Sequence, residues 1–143
     1  MKVEAYLFFD GRCEEALQFY TEALGARVGM LMRFKDAPEK PPEGRVASNS
    51  DDKIMHADFT IGETRVMVSD GNCTGSAEFK GFSLSLSPQT AEEADKLFHA
   101  LADGGQVQMP LCQTFFSPRF GMVQDKFGVS WMINVDAQSQ SEK

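Results

Sequence analysis

One order of elements, written twice, constrains this chain more than anything else in it. VEAYLFF (residues 3–9) is an apolar, aromatic run of strand length, broken by DGRC. EEALQFYTEALG follows, with Ala16, Leu17, Phe19, Tyr20, Ala23 and Leu24 at helical spacing and Gly25 placed to cap the helix. ARVGMLMRF (26–34) reads as a strand. KDAPEKPPEGRVASNSDDK, with Pro38, Pro41 and Pro42, reads as a long surface loop. MHADFTIGETRVMVSDG (55–71) reads as two strands joined by a tight turn. The second half repeats this. GFSLSLS (81–87) is a strand, and Pro88 to Thr90 lead into the helix AEEADKLFHALADGG, with Ala94, Leu97, Phe98 and Leu101 on one face. QVQMPLCQTFF is the next strand, bent at Pro110, and RFGMVQD and VSWMINV form a hairpin through KFG. The polar tail DAQSQSEK adds nothing to a core.

The chain therefore reads as two βαβββ units repeating after about 75 residues, a period too long for a solenoid. Residues 1–72 form the first module and 73–135 the second, within one domain, and 136–143 are tail. One-sided helices on mostly antiparallel sheets place the fold in the α+β class, with two half-sheets pairing around a cleft.

Charge and cysteine content narrow the function. A formal net charge of -7 argues against nucleic acid, whose phosphates need a basic surface. Cys13, Cys73 and Cys112 are odd in number, far apart and without CxxC spacing. A disulfide framework or structural zinc site is not expected, and a reducing cytoplasm fits. MKVEAYLFFDG is too short and acidic for a signal peptide, and no run approaches the roughly 20 apolar residues of a membrane helix.

Residues alternate along a strand, so the hairpins state their faces. Ala57, Phe59 and Ile61 should pack under a helix, leaving His56, Asp58 and Thr60 on the cleft side. Val66 and Val68 go to the core, and Arg65, Met67 and Ser69 to the cleft. Trp131 and Ile133 pack inward, while Ser130, Met132 and Asn134 face the ligand side. In the first strand Ala5, Leu7 and Phe9 are read toward the cleft and Tyr6 and Phe8 toward the helix. Met30, Met32, Met67 and Met132 suit an adaptable pocket, since thioethers fill irregular space, although Met and Phe on a sheet also serve as plain core. Gln113, Thr114 and Phe116, after the bend at Pro110, are candidates for its rim.

YLFFDGRCEEALQFYTEALGA, HADFTIGETRVMVSDG, GFSLSLS and FGMVQDKFGVSWMINV together resemble the PhnB-like branch of the vicinal oxygen chelate superfamily. That superfamily holds glyoxalase I, extradiol dioxygenases, fosfomycin-resistance enzymes and bleomycin-binding proteins. The resemblance covers about residues 4 to 135. It implies paired βαβββ modules forming a cup-shaped sheet, the glyoxalase/bleomycin resistance fold, often in a homodimer with a small molecule in the cup. The superfamily's metalloenzymes take His, Gln or Glu ligands from the first and last strand of each module. Here those positions fall on Ala5, on Met67 or Ser69, on Phe82 or Gly81, and on Met132. None is a good ligand for a hard or borderline ion; the thioethers suit only a soft one such as Cu(I). No metal and no cofactor are expected.

His56 has three open readings: a polar wall residue bonded to Asp58, Ser69 or a ligand; an ordinary satisfied histidine; or a general base or metal ligand. Ser69, His56 and Asp58 do not make a triad, because His56 and Asp58 lie two apart on one strand. His99 falls off the apolar helix face and is expected in solvent. Cys13 is read as a small helix-start residue, and Asp125 to Gly128 as a turn with positive φ at Gly128. The expected function is small-molecule binding without the superfamily's metal, through His56, Asp58, Met67, Ser69, Phe82, Gln113, Phe116, Met132 and Asn134, with no nucleic acid or membrane partner. The alternative is an enzyme of the same superfamily with an unconventional metal or a His56-based site. Proteins of this branch are often described as demethylubiquinone methyltransferases, but no GxGxxG-like stretch follows a strand here.

Overall fold

The computed structural model describes residues 1–38, 50–73 and 77–136. Residues 39–49 of the expected surface loop and 137–143 of the expected tail lie outside them. The chain divides between Ala77 and Glu78 into two compact units.

The first unit runs β1 (Tyr6–Phe8), α1 (Cys13–Leu24), β2 (Arg27–Arg33), a 3₁₀ turn (Phe34–Asp36), β3 (Ile54–Ile61) and β4 (Thr64–Ser69). The second runs β5 (Leu84–Leu86), α2 (Ala91–Ala102), β6 (Gln106–Cys112), β7 (Phe120–Gln124) and β8 (Ser130–Asn134). Each unit is thus βαβββ, and each builds a four-stranded mixed sheet, ordered β1-β4-β3-β2 and β5-β8-β7-β6. In both, the first strand lies parallel to the last, with Tyr6 opposite Met67 and Ser85 opposite Met132. The remaining pairs are antiparallel.

Each helix buries one stripe on one sheet face. Cys13, Ala16, Leu17 and Tyr20 of α1 are buried, and the Tyr20 ring meets Phe9 and Phe59. Ala94, Phe98 and Leu101 of α2 are buried, as are Val123, Trp131 and Ile133 of the second sheet. Removing such side chains from water is the main stabilising term, about 1.5–3 kcal/mol for each large one. Gly121 leaves room for the α2 side chains on the sheet: a Cβ there would lie 2.9 Å from both Phe98 and Leu111.

The helix N-termini are satisfied differently. At α2 the Thr90 hydroxyl accepts from the Glu93 N–H (3.1 Å) and the Glu93 carboxylate accepts from the Gln89 N–H (3.1 Å), a variant of the local capping box. At α1, Arg12 gives no side-chain cap. The Asp70 carboxylate, 1% exposed at the end of β4, does the work from far along the chain. Its Oδ1 accepts from the N–H groups of Gly11 (2.7 Å) and Cys13 (2.8 Å), and its Oδ2 from that of Ile54 (2.8 Å). The second unit has its own buried carboxylate, Asp125, 2% exposed. Its Oδ1 accepts from the Phe127 and Val129 N–H groups and its Oδ2 from the Trp131 indole. The turn read at Asp125–Gly128 is present, with Gly128 at φ 95°.

Two readings need correction. β1 is only three residues long, and its faces are the reverse of those expected. Leu7 and Phe9 are buried on the α1 side, while Tyr6 and Phe8 are exposed on the other. β5 begins at Leu84, so Phe82 precedes it, exposed, with its ring 6.4 Å from Phe79. No helix among the described residues is long and apolar enough to cross a membrane.

Candidate functional site

In each module the helix covers one sheet face, and the candidate residues carried by the strands lie on the other; Phe82, Gln113 and Phe116 lie outside the strands. On the first sheet this open face is set by register. Tyr6 pairs with Met67 and Met67 with Asp58, while Phe8 pairs with Ser69 and His56 with Met32. His56, Asp58, Met67 and Ser69, read from alternation, therefore share one face. Tyr6 and Phe8 join them, which sequence reasoning missed.

Tyr6 organises the centre of this face. Its hydroxyl lies 2.8 Å from Nδ1 of His56. Its ring stacks on Phe8 (centroids 4.9 Å apart) and tilts against His56 (5.5 Å). Tyr6 is 37% and Phe8 54% exposed, so two rings are presented outward. Gly71 seats the Phe8 ring: at φ 59° it carries no Cβ, and one placed there would come within 3.2 Å of Phe8. Burial pushes the Tyr6 phenol up, Ser69 bonding to it works the other way, and nearby Cys13 adds to the rise. The phenol therefore keeps its proton at neutral pH.

Asp58 is occupied differently. Its Oδ1 accepts from the Met30 N–H (3.1 Å), and its Oδ2 from Nε and an amino nitrogen of Arg65 (3.2 and 3.0 Å). Arg65 also reaches Glu4 at 3.2 Å. Desolvation pushes the Asp58 carboxyl up, but the Met30 amide and Arg65 outweigh it and leave the group below its ordinary value. The Met30 contact sits in a bulge, where the β2–β3 register shifts by one between Val28 and Leu31. Gly29 has no Cβ there, and one would run into the Asp58 carboxylate. His56 is thus bonded to Tyr6, and Asp58 is held by Arg65 and the backbone. Ser69 accepts from the Gly71 N–H at 2.8 Å.

On the second sheet, Met109 pairs with Met122, Met122 with Met132, and Met132 with Ser85. This row of three thioethers lies on the face opposite Val123 and Ile133. Asn134 pairs with Phe120, whose ring meets Phe116 at 5.1 Å. The Asn134 Oδ1 is buried without a hydrogen-bond partner among the described residues. Gln113 is exposed just beyond β6, and Thr114 closes a turn with Ser117. His99 is exposed on α2. Of the cysteines, Cys13 is buried, and burial, the Asp70 charge and Glu14 hold its thiol protonated.

A groove of about 300 Å³ lies between α1 and β2, with Leu17, Val28 and Leu31 among its lining residues. It is on the helix side of the sheet, away from His56.

The strand pairing also tests the superfamily's metal site. First and last strands meet at Tyr6 and Met67 in one module and at Ser85 and Met132 in the other. A phenol, a hydroxyl and two thioethers do not fit a hard or borderline divalent ion, which takes carboxylate and imidazole ligands. Among the described residues no three His, Cys, Asp or Glu side chains gather as a metal site.

A family model described as 3-demethylubiquinone-9 3-methyltransferase matches residues 1–134. Protein YjdN of Escherichia coli K12 is 35% identical over 147 aligned positions, covering 99% of this chain and all of that one. Among solved structures, PA1353 from Pseudomonas aeruginosa is 40% identical (TM-score 0.83; 95% and 98% of the two chains). A PhnB protein from Bacillus cereus, described as a putative 3-demethylubiquinone-9 3-methyltransferase, is 31% identical (TM-score 0.77; 94% and 99%). The fosfomycin resistance protein FosX from Listeria monocytogenes, in a structure with Mn(II) and sulfate, is 10% identical (TM-score 0.64; 99% and 95%) and shares the fold. With two βαβββ modules in tandem in the glyoxalase/bleomycin resistance fold and a family match over nearly all its length, the chain belongs to the PhnB-like family.

Proposed function

We propose that this protein binds a small organic molecule on the open face of its first sheet, without the divalent metal of the superfamily's metalloenzymes. The observation that carries this is the Tyr6–His56 pair beside Phe8: two exposed rings and an imidazole fixed by a 2.8 Å hydrogen bond. Apolar surface with a few oriented polar groups is the usual composition of a ligand site. The thioethers and hydroxyls at the strand positions where metal ligands are expected support the metal-free part.

The test joins metal analysis to thermal unfolding. The protein should contain no stoichiometric Zn, Mn, Fe or Ni after purification in their presence. Its melting temperature should rise with aromatic small molecules, and His56→Ala should weaken that rise. Tight stoichiometric metal binding lost in His56→Ala would sink the proposal.

A second reading, an enzyme using His56 in acid–base chemistry, is favoured by the same Tyr6 contact, because it orients the imidazole. Turnover of a bound ligand, lost in His56→Gln while binding persists, would establish it. Methyl transfer is not part of either reading: a glycine-rich strand–turn–helix loop has no counterpart among the described residues. Pairing of two chains in the cytoplasm belongs to the first reading. Light scattering that finds a strict monomer at micromolar concentration would remove the pairing.

A further inference from the structure

Strict alternation would put Val28 and Leu31 of β2 on opposite faces. The bulge brings them to one face: Val28 pairs with Phe59 and Leu31 with Ala57, both buried under α1. Val28 and Leu31 therefore point to the helix side. Yet each is 40% exposed, while Phe59 and Ala57 are 0% exposed. β2 is an outermost strand, and α1 leaves it partly uncovered. The result is the groove of about 300 Å³ whose apolar lining is Leu17, Val28 and Leu31. That volume is at the lower end of small-molecule sites.

The charged groups lining the groove have one sign. Glu14 and Glu22 reach it from α1, and among the described residues no Lys, Arg or His lines it. Glu14 is already held by Arg33, at 3.0 and 2.7 Å. The Glu22 carboxylate has no ion pair or hydrogen bond among the described residues. Glu22 also sits in the last turn of α1, which has no basic residue. The C-terminal end of a helix carries partial negative charge, which a cation offsets. The next cation along the chain, Arg27, pairs with Thr60 and so lies on the opposite face of the sheet.

We infer that this groove is a second binding site, for a small organic cation: a free amine, protonated at neutral pH. Its hydrocarbon body lies against Leu17, Val28 and Leu31, and its ammonium group meets Glu22. The apolar lining favours an amine with a hydrocarbon body over a bare inorganic ion, and the carboxylates repel organic anions. An extended peptide fits less well, because the bulge interrupts the strand ladder that it would join. The groove lies across the sheet from His56, so this site stands or falls apart from the ligand face proposed there.

The probes are cyclohexylmethylamine (cation), cyclohexylmethanol (neutral) and cyclohexylacetate (anion), which share a saturated ring and so gain little from the aromatic face. Binding is followed by NMR shifts of the Leu17, Val28 and Leu31 methyl groups. The amine should bind tightest and the carboxylate weakest. Glu22→Gln keeps the shape of the groove, and it should weaken the amine about threefold while leaving the alcohol unchanged, as expected for one exposed ion pair. Added salt should narrow the gap between amine and alcohol. Leu31→Ala should weaken both. An alcohol that binds as tightly as the amine, or an amine indifferent to Glu22→Gln, would overturn the cation class. Shifts confined to Tyr6, Phe8 and His56, or none with any probe at millimolar concentration, would overturn the site itself.

Discussion

The two modules follow the same path, yet each holds its helix and equips its open face in its own way. In the first, α1 starts on a carboxylate 57 residues away in sequence, since Asp70 bonds the Cys13 N–H. In the second, α2 starts on its own neighbours, Thr90 and Glu93. The first face carries Tyr6, Phe8, His56 and the Asp58–Arg65 pair, whereas the second carries the row Met109, Met122 and Met132. Path and strand pairing are common to both, and they do not dictate the chemistry of the face. The first module has specialised in directed polar contacts, the second in adaptable apolar surface.

The largest test of this contrast removes the remote cap. Asp70→Ala leaves three backbone N–H groups without their acceptor, two of them in buried bonds. Urea denaturation should show a loss of about 3–5 kcal/mol. A loss below about 1 kcal/mol would mean that water or a neighbour replaces the carboxylate. Next comes the second module's helix packing. Gly121→Ala forces a methyl against Phe98 and Leu111, and should cost about 1–3 kcal/mol. Thr90→Ala removes the local cap and should cost only about 1 kcal/mol, well short of Asp70→Ala. Equal losses for the two caps would erase the distinction between the modules.

The smallest effect is a pH dependence. Asp58 has its folded pKa held below the unfolded value, so its contribution is present above roughly pH 4, the ordinary carboxylate range, and fades as pH falls through the lower folded value. The stability difference between the protein and Asp58→Asn should therefore shrink as pH is lowered below that point. A difference that grows in acid would contradict the depressed pKa.

How far the sequence led depends on contrast within each strand. HADFTI and TRVMVS alternate polar with apolar residues, and the structure places their faces as read. SWMIN behaves likewise. YLFF has no such contrast: every residue is apolar or aromatic, so alternation has a period but no phase, and the expected faces of β1 come out reversed. Only its parallel pairing with β4 settles the phase, and it brings Tyr6 to a histidine 50 residues away. The β2 bulge was equally hidden. Alternation places Val28 and Met32 on one face, but the register shift pairs Val28 with Phe59 and Met32 with His56, on opposite faces. Gly29 was the one available sign, since glycine inside a strand often marks a bulge.

That bulge has a consequence at the border of the sheet. β2 is an outermost strand, and a flat seven-residue border would be a template for another chain to add on and for chains to clump. The shift in register interrupts the regular ladder that such growth requires, and the Met30 N–H is turned toward Asp58. By holding the Met30 N–H, Asp58 fixes this irregularity in the border.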